Sequence, residues 1–593
     1  MKYPDPTLNE GTTAAGVGSE LDQSPAESLF LGNILEAVLF PYPTFSQAQR
    51  ESVTMIIDSI DKFMGGREEE YRTFDREGMQ PAAYLEELCS MGLFGLIIPE
   101  EYEGIGLSNA GYARVLQHTS RYDASTSLTI GAHSSIGMKG LLLFGNEEQK
   151  RRYLPKLASG EMKAAFCLTE PGSGSDAASI KTTATRNADG SWSLSGEKIW
   201  ITNGSFAEFF TVFARTDGEE GKLTAFLVER AFGGISSGKK EDKLGIRASA
   251  TTTVTFDNVQ VPDANRLGEV GKGFKVAMGI LNNGRTGLGG GCVGGMKRCI
   301  ELAARHAAER KQFGRPIAEF GLVKEKLARM TVLCFATESM VHWLASRIDA
   351  GATNYSVEAA MSKVLASESL WTVANEALQI AGGVGYMKEY PYERVVRDSR
   401  INLIFEGTNE ILRLYIGLTG LKDAGEYLKE IGKTAGNIFN DPIKGFGVLS
   451  SYAKKRISKA FSARDSIRWV HPLLEEEGKA CSYYTVWLSR AVEAVLRKHG
   501  KNIIGKQLLT KRLADTATSL FSALTVLSRV TKMIQDKGDA ATKDEQRIAR
   551  IYLQYTKSQM NSNLRKLERD EDALLLELAD SIVQGQGYPW DVL

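Results

Sequence analysis

Between about residues 45 and 160, apolar positions recur at spacings of three and four, as in TMIIDSIDKFM at 54–64 and LEELCSMGLFGLI at 85–97. That is the pattern of helices with one buried face. From about 163 to 265 the period falls to two, in AAFCLTE (164–170), SWSLSGEKIWIT (191–202), FFTVFART (209–216), LTAFLVER (223–230) and TTVTFDNVQV (252–261), with turn clusters such as Asn187–Gly190 between the runs. Beyond Gly273 the helical period returns in long segments at 291–312, 322–350 and 356–381, broken at 314–316 and 351–354. A looser Gly/Asn/Pro stretch at 431–447 precedes a last helical region. The pattern predicts a mostly α protein with a central antiparallel β domain. Its parts are a polar N-terminal tail (1–44), a helical domain (45–162), a β domain (163–272), a helical bundle (273–430) and an appended all-α domain (431–593). Strands and helices do not alternate, which argues against a parallel βαβ sheet.

A chain of 593 residues has room for these units, and 43% hydrophobic with 24% charged residues is a globular composition. Lys plus Arg and Asp plus Glu both total 72, so no global field favours nucleic acid, and no nucleic-acid partner is expected. The six cysteines have no CxxC or metal spacing and the six histidines no ligand or triad spacing, so neither a metal site nor a disulfide framework is expected. The first 28 residues carry acids, no arginine and no apolar core segment, and no window is apolar enough to span a bilayer; a bacterial cytoplasmic protein is expected.

Six stretches could carry chemistry beyond packing. The run Gly289–Gly294 fits G-x-G-x-x-G, but it follows a helical pattern instead of a strand, so close helix packing explains it better than dinucleotide binding. FCLTEPGSGSD (166–176) takes a strand into a loop rich in hydroxyls and glycine, either a capped turn or a wrap for a polar ligand. In GEKIWITNG (196–204), Trp200 and Thr202 share a face, which suits a wall beside a flat ring or an ordinary core. ERKQFG (309–314) ends a helix with a guanidinium that either clamps phosphate or answers the helix dipole. QIAGGVGY (379–386) is a helix stop whose backbone a ligand could approach. In IFEGTNEILR (404–413), Glu406 lies between an apolar run and the start of a helix; partial burial would raise its pKa toward that of a general base, and a helix N-terminal carboxylate is the alternative.

In this order, and with EYPYERVVRD at 389–398, these motifs resemble the FAD-dependent acyl-CoA dehydrogenases over roughly residues 45–420. Phe40–Pro43, Leu281–Arg285 and the helical region up to 593 make the chain similar to the very-long-chain branch of that family. The resemblance implies an α, β, α fold with flavin between the last two domains. It implies cofactor contacts from Phe166, Leu168, Thr169, Ser175, Trp200, Ile201 and Thr202, and from Thr408, Asn409 and Glu410. Arg310, Phe313, Gln379, Gly382 and Gly383 would reach FAD across a homodimer interface, and Gln507 matches a flavin-side position of the branch. Substrate contacts are implied for Ser175, Arg285, Phe405, Glu406 and Gly407; Asn282 stands where many shorter-chain relatives have Asp. The implied chemistry is removal of an α-proton from acyl-CoA by Glu406 with β-hydride transfer to FAD, giving trans-2-enoyl-CoA; an electron-transferring flavoprotein is the implied acceptor.

An oxidase sharing the motifs and an assembly partner with secondary catalysis are the competing readings; an intact Glu406 and both flavin strands favour the dehydrogenase. Residues 442–468 hold seven basic side chains against Asp465, with apolar residues at helical spacing. That pattern suits either a peripheral membrane helix or a solvated helix packed on its own protein.

Overall fold

The computed structural model describes residues 21–216, 222–436 and 467–592. Two compact units partition the chain, residues 43–409 and, in the other, residues up to 42 together with those from 410 onward.

The smaller unit begins with α1 (Pro25–Phe30) and α2 (Glu36–Leu39). Both lie inside the stretch expected as a polar tail, and the apolar residues there explain the difference: Leu29, Phe30 and Leu39 are buried.

In the larger unit the N-terminal helices are α3 (Gln47–Met64), α4 (Glu68–Glu77), α5 (Ala82–Ser90), α6 (Asn109–Tyr122), α7 (Ala124–Gly131), α8 (Lys139–Phe144) and α9 (Glu147–Ser159). A π-helical turn, Ala132–Gly137, joins α7 to α8. Ser46 opens α3 with a capping box, exchanging hydrogen bonds with Gln49.

The β domain comprises β1 (Ala164–Cys167), β2 (Thr183–Arg186), β3 (Trp192–Thr202), β4 (Phe209–Thr216), β5 (Leu223–Glu229), β6 (Ile235–Lys240), β7 (Thr251–Val261) and β8 (Arg266–Leu267). The strand order is β6-β7-β3-β2-β4-β5-β8. Most ladders are antiparallel; β1 and β2 each run parallel to β4, against its first and last halves respectively. Strand β4 is buried on both faces, which is why its sequence is nearly continuous in apolar residues. Phe209 and Phe213 join the core shared with the N-terminal helices, while Phe210, Val212 and Ala214 join the core within the β domain.

The 37-residue α10 (Gly273–Glu309) follows, then a short hairpin of β9 (Lys311–Gln312) and β10 (Arg315–Pro316). The bundle continues with α11 (Gly321–Asp349), α12 (Ser356–Ala381), α13 (Gly383–Tyr386) and α14 (Tyr392–Arg400). Helix α15 (Asn409–Gly436) leads into the smaller unit, which is built from α16 (Glu475–His499), α17 (Gln507–Lys537), α18 (Lys543–Arg565) and α19 (Asp570–Gly585). There Phe30 of α1 lies against Gly420, where a Cβ would come within 2.4 Å of the ring. The Ser528 hydroxyl donates to the Leu39 carbonyl at 2.5 Å. Among the described residues no helix is long and apolar enough to cross a membrane. The basic segment 442–468 lies outside the described residues except for its last two.

Gly289–Gly294 sits in the middle of α10, where its work is packing. A Cβ at Gly290 would stand 2.3 Å from the Ala113 carbonyl oxygen, and one at Gly294 1.9 Å from that of Gln117, so α6 touches α10 backbone to backbone. At Gly291 the nearest atom to a Cβ would be the Ser127 hydroxyl, 3.8 Å away. Gly294→Ala should therefore lower stability by about 1–3 kcal/mol. Gly291→Ala should be neutral or stabilising by up to about 1 kcal/mol. Chemical unfolding of the two variants, side by side, checks the contrast.

Candidate active site

Helix α14 and the 3₁₀ turn Ile401–Leu403 deliver the chain to Glu406, which has φ 55°, followed by Gly407 at φ 94°. A left-handed non-glycine residue is uncommon and persists only where its surroundings hold it. Here the holders are two cations. Arg285 donates from Nη2 to the Glu406 carbonyl oxygen at 3.1 Å and from Nη1 to Asn282 Oδ1 at 2.6 Å. Lys363, fully buried on α12, donates from Nζ to the Gly407 carbonyl at 2.8 Å and to Asn409 Oδ1 at 2.9 Å.

The Glu406 carboxylate points the other way. Its Oε2 is sealed from solvent and accepts no hydrogen bond. It faces Gly284, where a Cβ would stand 3.8 Å from Oε2 and 3.0 Å from Ile136 Cγ2, so the glycine keeps a space open in front of the oxygen. Burial pushes the carboxyl pKa up to about 6, with Arg285 and Lys363 pulling it down. Such an acid is largely ionised at neutral pH yet basic enough to take a proton.

The β domain holds a second group of the expected residues. Beyond β1, Leu168 is buried, Phe166 and Thr169 are half-buried, and the Thr169 carbonyl accepts the Ile199 N–H at 3.0 Å, tying the loop to β3. The register of β3 against β7 slips between Lys198 and Ile201, and Trp200 has φ 57°. Inward positions consequently switch from even (Trp192, Leu194, Lys198) to odd (Ile201). Trp200 is left 63% exposed and Thr202 half-buried, whereas the Ile201 side chain belongs to the β core. Gly172 and Gly174 border open space, and Ser175 beside them is exposed.

A buried ion pair fixes this loop. Lys198 Nζ lies 2.7 Å from Glu170 Oε1 and also donates to the carbonyls of Leu168 and Phe213. Glu170 accepts from the Thr182 hydroxyl at 2.6 Å and from the Lys181 and Thr182 N–H groups. Burial raises the Glu170 pKa, but Lys198 and these donors outweigh it and hold the carboxyl below its ordinary value. Glu170, Lys198 and Lys363 are not among the sequence-predicted site residues, although both lysines leave a signal. Lys198 is a cation at an inward position of an alternating strand, and Lys363 lies inside the apolar run Ala359–Ala366.

The other expected site residues lie on several elements. Arg310 caps the end of α10, and Phe313, at the hairpin tip with φ 51°, is 93% exposed. Gln379 is exposed at the end of α12, followed by Gly382 (φ 61°) and Gly383, where a Cβ would meet nothing. Phe405 and Thr408 flank the turn, half-buried; Asn409 is buried and Glu410 exposed at the start of α15. Gln507 is the exposed first residue of α17 in the smaller unit. No group of His, Cys, Asp or Glu among the described residues could hold a metal ion.

Family models match in chain order: "Acyl-CoA dehydrogenase, N-terminal domain" at 50–161, "middle domain" at 165–259 and "C-terminal domain" at 271–420. A fourth, "ACAD9/ACADV, C-terminal domain", matches 472–588. The very long-chain specific acyl-CoA dehydrogenase of Macaca fascicularis mitochondria is 43% identical, over 90% of this chain and 82% of that one. The chain belongs to the acyl-CoA dehydrogenase family. Acyl-CoA dehydrogenases are FAD-dependent oxidoreductases. The crystal structure of an acyl-CoA dehydrogenase complexed with FAD from Bacillus anthracis superposes with TM-score 0.78 at 33% identity, covering 94% of each chain. Butyryl-CoA dehydrogenase from Megasphaera elsdenii (TM-score 0.61, 36% identity) covers 63% of this chain and 98% of its own. This acyl-CoA dehydrogenase thus carries a C-terminal region beyond the length of that relative.

The residues present suit a flavin: an exposed indole at Trp200, open glycine backbone at Gly172 and Gly174, and a sealed, unpaired Glu406 Oε2. Lys198→Met should cost about 3–5 kcal/mol by stranding the Glu170 charge. Adding Glu170→Gln should recover part of the loss; thermal unfolding of the single and double variants is the check.

Proposed function

We propose that the protein dehydrogenates long- or very-long-chain acyl-CoA to trans-2-enoyl-CoA in fatty acid β-oxidation and passes the electrons to an electron-transferring flavoprotein. The observation that carries this reading is the Glu406 side chain, half-buried with its Oε2 sealed from solvent and unpaired while both neighbouring cations bond to other oxygens.

Glu406 takes the α-proton of the thioester onto its carboxylate. An α-proton is weakly acidic, so the negative charge developing on the thioester oxygen needs a donor, and the Glu406 N–H serves as the chain's own. FAD, when bound, supplies the hydride acceptor. Phe166, Leu168, Thr169, Trp200 and Thr202 line its ring, with the Ile201 backbone between the last two; Thr408 and Asn409 belong to the cofactor set. Ser175, Arg285, Phe405 and Gly407 position the acyl-CoA. A second copy of the chain contributes Arg310, Phe313, Gln379, Gly382 and Gly383, making the working form a homodimer. The near-complete exposure of Phe313 in a single chain supports that assignment, since an aromatic so placed suits an interface. The long-chain preference is supported by the similarity to very-long-chain enzymes and by the matching appended domain.

Anaerobic mixing of the purified yellow protein with acyl-CoAs of about four to twenty carbons should bleach the flavin increasingly with chain length; bound flavin that no acyl-CoA reduces would sink the proposal. Glu406→Gln should retain FAD and ligand yet lose at least roughly 10²–10⁴-fold in turnover, the contribution of a positioned base. The base must be ionised and its pKa is about 6, so kcat/KM should rise with pH through that value, with about tenfold loss per pH unit below it.

A further inference from the structure

We propose that Lys363 is the positioning residue of the catalytic turn, holding the left-handed Glu406–Gly407 backbone and, through its charge, keeping the Glu406 carboxyl ionised where water is excluded. The inference rests on the reading of Glu406 as the base.

Three observations carry it. Lys363 is fully buried, yet both acceptors of its ammonium, the Gly407 carbonyl and the Asn409 side-chain oxygen, are uncharged. A buried cation is costly unless a nearby anion compensates it. Glu406 is the largest source of that compensation, acting through space without a direct bond that would block the carboxylate. Secondly, the lock is itself locked. The Asn409 amide donates to the Ser367 hydroxyl at 3.0 Å and to Glu368 at 3.2 Å, so its oxygen is turned toward Lys363. Ser367 in turn donates to the Lys363 carbonyl at 2.8 Å. Thirdly, the two cations divide the turn: Arg285 takes the Glu406 carbonyl and Lys363 the next one, which directs the carboxylate away from both.

The groups around Glu406 are few. Arg285 and Cys292 lie on α10, Lys363 on α12, and the Tyr112 hydroxyl on α6, hydrogen-bonded to Ser135 at 2.7 Å. Burial holds the Tyr112 and Cys292 pKa values well above neutrality, and Arg285 keeps its charge, so Lys363 is the neighbour that titrates in the working range. Burial lowers its pKa to about 8, with Glu406 opposing, Arg285 adding to the fall, and Cys292 and Glu368 opposing more weakly. The pH–rate profile should therefore be a bell: an acid limb near 6 from the base and an alkaline limb near 8 as Lys363 loses its proton.

The experiment is the pH dependence of flavin reduction in single turnover by the FAD-loaded wild type, Lys363→Met, Lys363→Arg and Glu406→Gln. Lys363→Met should retain FAD, shift the acid limb upward by about one unit, as loss of a nearby opposite charge does, and lose the alkaline limb. Lys363→Arg, charged at every pH, should restore the acid limb toward 6 without restoring the alkaline one. An acid limb in Lys363→Met that stays near 6 overturns the proposal, whatever happens to the overall rate. Should Lys363→Met fail to hold FAD, the wild-type profile decides: a flat plateau from pH 7 to 9 overturns the proposal and a limb near 8 supports it. Near-normal turnover by Glu406→Gln is a different failure, that of the base assignment itself.

Discussion

An ionisable oxygen without solvent or partner is among the more expensive things a protein interior can contain, and the architecture around Glu406 is arranged to tolerate one. Gly284, lacking a side chain, leaves the oxygen a space, and the local backbone is bent into a left-handed pair. The two nearest cations stabilise the charge from a distance while their hydrogen bonds go to main-chain carbonyls and side-chain amide oxygens. A direct ion pair would make the carboxylate more stable and a poorer base. On the proposed reading of Glu406 as the base, the site gives up that stabilisation to stay reactive.

The contrast with the β domain is instructive. Glu170 is also buried beside a lysine, but it is bonded to Lys198, to a hydroxyl and to two amide groups. A satisfied carboxylate of this kind is a fastener: it secures the loop that follows β1 and has no capacity left for chemistry. Within one unit, two buried Glu–Lys neighbourhoods differ in whether the lysine points at the acid or at the chain behind it.

Much of this was legible in the sequence. The switch of hydrophobic period from helical to alternating and back marks out the helical, β and helical regions, and the motifs at 166–176, 196–204 and 404–413 contain Trp200, Glu406 and the loop that Glu170 fastens. What periodicity could not supply was the slip in β3, because a bulge near Trp200 changes which side chains face inward without changing composition. The role of Lys363 was also hidden: its partners are backbone and amide oxygens 44 and 46 positions away, and no local pattern encodes them. Likewise α1 and α2 were too short to register as periodic, although their buried leucines and phenylalanine belong to a core.

Those first helices have a consequence for how the molecule comes into being. Their unit is discontinuous: the chain contributes residues up to 42, departs to build the whole of 43–409, and returns only from 410 onward. Synthesis proceeds from the amino end at roughly 5–20 residues per second, so Phe30 and Leu39 emerge tens of seconds before Gly420 and Ser528, the residues they meet. The larger unit can close while the smaller one waits with apolar side chains unpartnered. For this chain, the order of translation places the riskiest exposure of hydrophobic surface at its very beginning.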